Sequence, residues 1–254
     1  MGFDNVIRGS YGDEKVTSSA KIGNLPLGTR MSLPDGRIFA LAKAGTVALT
    51  PGTLLEMPDP GDAALLKDLA VASAAAIGDT DVTITAGSVA VTEDLFADGY
   101  LHVNDVTGQG YVYKVKGNSS AAASSSITVT LEPQDPIVVA LVAGSSQCGL
   151  TENEFTRVQL VQADTTHLGI PMGIAPVDVT LSYYFWVQRR GVVAVLSGDT
   201  DMTVGLQFTK GAATAGEAAL IGASSASVQV SDSWGHCIAP AVTADYALVY
   251  LTME

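Results

Sequence analysis

The chain has few of the residues on which a catalytic or nucleic-acid-binding role is built. Only two cysteines, Cys148 and Cys237, occur in 254 residues. They form no disulfide framework and no Cys-x-x-Cys metal spacing, so two reduced thiols are expected in a reducing cytosol. Lysine and arginine number 13 against 26 aspartates and glutamates, giving a net charge of −13. Phosphate recognition needs clustered cations that displace counterions, so this balance excludes nucleic acid as a partner and disfavours an anionic membrane surface. Apolar runs such as residues 137–143 fall far short of the roughly 20 residues a spanning helix requires. The first fifteen residues are polar and lack the apolar centre of a secretory signal, and Val6 stands where N-myristoylation wants Ser or Thr. Synthesis in a host cytoplasm is therefore expected.

Catalytic motifs are equally scarce. There is no Gly-x-Ser-x-Gly elbow and no glycine loop ending in Lys-Ser or Lys-Thr. The three histidines, His102, His167 and His236, lie apart in the sequence. His236 and Cys237 are neighbours in a strand pattern, which sends their side chains to opposite faces. Asp79/Asp81 and Asp199/Asp201 have the spacing hard cations accept, but neither pair continues into a calcium loop, and both are read as turn carboxylates. No catalytic residue, metal ligand or cofactor is assigned, and the chain is not read as an enzyme.

What is present is small, apolar and β-patterned. Hydrophobic residues make up 47% and charged residues 15%, enough to bury a core, while aromatics are only 6% beside 26 glycines. Period-2 alternation marks residues 82–85 and 127–131 as strands with one buried face. Residues 100–103 and 109–116 read as a hairpin around 104–108. Further strands are expected at 38–42, 157–161, 177–188, 191–196, 202–208, 228–230 and 246–251. The Ala-rich stretch 65–76 has helical composition, but the Gly78-Asp79-Thr80-Asp81 turn and the strand after it favour two strands, with a helical turn near 63–68 as the alternative. The same Gly-Asp-Thr-Asp turn recurs at 198–201, from a duplicated unit or from ordinary hairpin chemistry. The apolar C-terminal strand should be paired within a sheet or against another subunit.

The fold class expected is all-β: an extended N-terminal arm, residues 1–37, followed by one or two β-barrel or β-sandwich units over 38–147 and 148–254. Glycines at 2, 9, 12, 23 and 28 break periodicity in the arm, and Pro34-Asp35-Gly36 closes it as a turn. Arg189-Arg190 is an isolated basic pair, either a solvated strand end or a contact with an acidic patch on a neighbouring subunit.

Three segments carry a family likeness: Leu33-Pro34-Asp35-Gly36-Arg37-Ile38-Phe39, then Asp98 to Lys116 with its Gly108-Gln109-Gly110 turn, and Ser182-Tyr183-Tyr184-Phe185-Trp186-Val187-Gln188. In this order they resemble structural proteins of tailed-phage virions, of the head-decoration or capsid cement type. Such proteins often carry Trp-Gly after the final Gln, where this chain has Arg189-Arg190-Gly191. The resemblance implies a homotrimer on the outer surface of the virion head that binds the major capsid protein and bridges its subunits. The expected contact set is Phe3, Ile7, Arg8, Tyr11, Ile22, Leu25, Leu27 and Arg30 in the arm, with Arg189 and Arg190. A tail or head-fibre adhesin that binds a host surface glycan is the alternative.

Overall fold

The computed structural model describes residues 6–57, 67–163, 169–198, 202–211, 213–221 and 233–253. Over these residues the protein is almost entirely β, as the alternation predicts. Strands β1 (Val6–Arg8), β2 (Arg30–Ser32), β3 (Ile38–Lys43) and β4 (Leu54–Met57) come first, with single 3-10 turns at Asp13–Lys15 and Ile22–Asn24. Next come β5 (Leu69–Ala70), β6 (Asp81–Thr85), β7 (Tyr100–Asp105), β8 (Val112–Asn118), β9 (Ser126–Leu131) and β10 (Gln147–Thr151). The chain then continues through β11 (Gln159–Leu160), β12 (Ile170–Ile174), β13 (Tyr184–Leu196), β14 (Gln207–Lys210), β15 (Ala218–Leu220), β16 (Gly235–Ala239) and β17 (Tyr246–Thr252).

The chain divides into two compact units, residues 1–59 with 154–254 and residues 60–153. They are nested, not consecutive as the expected spans 38–147 and 148–254 had them. The sequence offers a turn-rich break near residues 144–151, close to where the inserted unit ends. Nothing local announces that β3 pairs with β13, some 145 residues further on.

The inserted unit is a small barrel. Its strands run β5-β10-β7-β8-β9-β6, and Val71, just past β5, bridges to Ile84 of β6 and closes the ring. The inward residues of each strand, among them Val82, Ile84, Leu101, Val103, Tyr113, Val115, Ile127 and Val129, form one buried cluster. The β7–β8 hairpin has the register Tyr100↔Lys114 and Leu101↔Tyr113, as its sequence predicts. The buried Asn118 holds the loop between β6 and β7: its Nδ2 donates to the carbonyls of Thr92 and Ser119, and its Oδ1 accepts from the Phe96 N–H. The GDTD turn at 78–81 leads into β6, whereas residues 199–201 of its counterpart lie outside the described residues, as do 63–66 and 228–230.

In the other unit the main sheet runs β1-β2-β3-β13-β17-β16-β14-β15, and β12 joins β13 to β4, which pairs in turn with β11. The thirteen-residue β13 is its spine. Its first half faces Phe39, Leu41 and Met31 on one side and Ala40, Ala42, Leu55 and Met172 on the other. Its second half, with β17 and β16, covers Phe208, Trp234, Cys237, Val249 and Leu251. The sequence reading splits this strand at the bulge between Gln188 and Arg190, where the alternation slips by one residue. β17 is an interior strand, paired on both sides by β13 and β16.

The expected N-terminal arm is corrected by its packing. β1 pairs with β2 in parallel, Ser18 pairs with Tyr184, and Ile7, Ile22, Leu25 and Leu27 are half-buried against Met31, Leu33, Phe39, Leu41 and Trp186. Apolar residues scattered among glycines look free in sequence. Here they cap one face of the sheet that would otherwise meet water.

Candidate functional site

The β2–β3 turn and the β13 bulge meet beside β17 and enclose a cleft of about 490 Å³. Asp35, Gly36, Arg37 and Ile38 line one side, and Arg190, Gly191, Val192 and Tyr250 the other. The turn forms because Pro34 presets its first angle and Gly36 accepts a φ of +84°; the Gly36 N–H donates to the Leu33 carbonyl and the Leu33 N–H to that of Arg37. Gly191 is required by both space and backbone. Its φ is +91°, and a Cβ there would stand 2.8 Å from Cγ of Arg37.

The Arg37 guanidinium is held from three directions. Its Nε donates to Oδ2 of Asp35 at 2.7 Å, its Nη2 lies 3.5 Å from Oε1 of the buried Glu14, and its Cζ sits 5.6 Å from the Phe39 ring centroid. Burial acts to raise the Asp35 pKa, but the hydrogen bonds and charge of Arg37 outweigh it and hold that carboxyl below its ordinary 3.8. The far oxygen of Glu14 accepts from the Gly12 N–H, which fastens the N-terminal segment to this wall.

Register places several arginines on one side of the sheet. Arg8 pairs with Ser32, Ser32 with Ile38, and Ile38 with Arg190, so the four side chains form a cross-strand row. Arg30, two residues before Ser32 on β2, projects to the same side. Arg8, Arg30 and Arg190 are exposed, whereas Arg189 turns inward, donating to the Met172 carbonyl with its guanidinium 5.6 Å from the Phe155 ring centroid.

The structure therefore separates the expected contact residues. Arg8, Tyr11, Arg30 and Arg190 stay on the surface; Tyr11 is 65% exposed. Ile7, Ile22, Leu25, Leu27 and Arg189 are engaged inside the unit. Phe3 lies outside the described residues. Sequence reasoning missed Arg37 and Tyr250 as parts of one site. The available signal was weak: a Gly-Arg at a turn, and an outward Tyr in a strand whose alternate residues are also apolar.

Other candidates fall into place simply. Cys148 and Cys237 are free and buried. Burial pushes the Cys148 thiol up to about 12 and raises that of Cys237. His236 is exposed while Cys237 faces the core, as strand alternation requires. His102 is half-buried on β7, and His167 lies outside the described residues. Among the described residues no three His, Cys, Asp or Glu side chains group to hold a metal ion, and no helix is long and apolar enough to cross a membrane. Comparison with known protein families, curated proteins and solved structures finds no match for the chain.

Proposed function

We propose that this chain is a virion structural protein of the tailed-phage head-decoration type. It binds the outer surface of the capsid shell as a homotrimer and bridges major capsid protein subunits; its role is interfacial, not catalytic. The observation that carries the reading is the pairing of two signature segments distant in sequence. Residues 33–39 and 182–188 meet in neighbouring strands, with Phe39 opposite Gln188. The third segment is the β7–β8 hairpin of the inserted barrel. Motifs that resemble one family thus fall on two adjoining strands of one unit and on a hairpin of the other.

The contact chemistry follows from charge. In a chain of net −13, the exposed Arg8, Arg30 and Arg190 share one side of a sheet. That side suits an acidic patch on a capsid subunit, where guanidinium–carboxylate pairs fix register. Each contact is weak, but an oligomer on a repeating lattice makes the second and third contacts effectively intramolecular.

The test is decoration of purified, undecorated shells by the full chain and by an Arg8→Glu/Arg30→Glu variant. The unaltered protein is expected to saturate shells. The variant is expected to lose at least about tenfold in affinity, with added salt weakening the unaltered protein in the same way. Equal decoration by both would remove the arginine contact. Binding to host surface glycan with none to shells would replace this reading with an adhesin.

A further inference from the structure

The outward side of β13, β17 and β16 carries an apolar surface beyond the arginine row. Val192 of β13 stands opposite Tyr250 of β17, which stands opposite His236 of β16, which stands opposite Gln207 of β14. One step along, Leu248 faces Ala194 on one side and the bulge containing Ile238 on the other; beyond it Tyr246 pairs with Leu196. Val192, Ile238, Tyr246, Leu248 and Tyr250 are 42%, 41%, 53%, 39% and 39% exposed. Their alternates Ala247, Val249 and Leu251 are buried. A one-sided antiparallel sheet ordinarily carries polar residues on its wet face. Here both faces are apolar.

Size and charge say what covers it. The five side chains expose on the order of 450 Å² of contiguous surface, at the upper end for a lone monomer. The exposed His236, Gln207 and Thr252 lie at its margin. It has an apolar centre with two tyrosines, a residue type enriched in binding hot spots. The chain has 26 carboxylates, yet residues 190–196, 235–239 and 246–252 contain none. Two copies of so acidic a chain repel wherever carboxylates face each other, and this is a surface on which they do not.

We propose that this face packs against a second copy of the same chain. The inference deepens the homo-oligomer of the proposed function and does not depend on the shell. Sedimentation of the full chain is expected to give a multiple of 26.1 kDa. Leu248→Asp and Ile238→Asp, both away from the cleft, are expected to sediment as monomers with unchanged far-UV circular dichroism. Val47→Asp, at an apolar position that is also exposed but off these strands, should keep the oligomer. In the unaltered protein, hydroxyl-radical oxidation of Tyr246 and Tyr250 should fall as concentration rises. A monomeric unaltered chain, or folded Leu248→Asp and Ile238→Asp variants with the unaltered mass, or concentration-independent tyrosine oxidation, would each overturn the inference. Shell binding is scored separately: an oligomer built on this face that ignores shells sinks only the decoration reading, and a monomer that decorates shells sinks this inference and the homotrimer while leaving shell binding in place.

Discussion

Gly191 joins two elements that the sequence keeps far apart. Its left-handed backbone lets β13 bulge, and its missing side chain leaves room for Arg37. Gly191→Ala is expected to lower stability by about 2–4 kcal/mol, combining the positive-φ penalty with displacement of Arg37. Gly110→Ala, at φ +88° with open space around it, should cost only about 1 kcal/mol. Denaturant unfolding of the two variants measures the difference, and equal losses would mean that Arg37 is not held against the bulge. Asp35 makes a pH prediction at the same site. Its folded-state pKa is depressed, so its contribution is complete above the ordinary carboxyl value of 3.8 and is lost as pH falls through the lower folded value. Asp35→Asn should flatten that part of the acid limb of the stability curve and leave the neutral region unchanged in slope. At this scale the sequence was partly informative. Pro34-Asp35-Gly36 announces its turn, because each residue type has a local backbone reason to be there. That Arg37 would find Glu14 and Gly191 has no local signal, since both partnerships are made by tertiary packing.

Among the elements, the N-terminal segment is the main revision. Ile7, Ile22, Leu25 and Leu27 pack on Phe39, Leu41 and Trp186, and Gly28 and Thr29 exchange hydrogen bonds with Leu41. Deleting residues 1–29 is therefore expected to destabilise this unit by on the order of 4 kcal/mol, the burial of several half-covered apolar side chains. A thermal melt that is unchanged after the deletion would restore the free arm. Strands with clean alternation were legible in sequence: β6, β9 and β17 each show one buried face. The short β4, β10 and β12 were not anticipated. β4 is buried along its whole length, so it carries no period-2 pattern, and β12 contains Pro171 and a bulge that hide it. β13 was anticipated as two strands because the bulge at Gln188–Arg190 breaks its alternation without ending its pairing.

For the whole molecule, the fold class was legible but the nesting was not. Composition and alternation point to a turn-rich all-β chain. The insertion of 60–153 between β4 and β11 depends on pairings made across the insert, such as Leu160↔Leu55, which no window of sequence displays. The ends of the insert do carry a physical mark of it: Leu69 of β5 lies opposite Cys148 of β10, so chain entry and exit are adjacent. The central claim concerns what this body attaches to. The proposed interfacial role rests on its charge, its exposed arginines and the apolar surface beyond them. The most direct test is cryo-electron microscopy of purified particles from the source. The account predicts density for this chain on the outer head shell, as a trimer bridging capsid subunits with Arg8 and Arg30 against them. Density confined to the tail, or none on the particle, would contradict it.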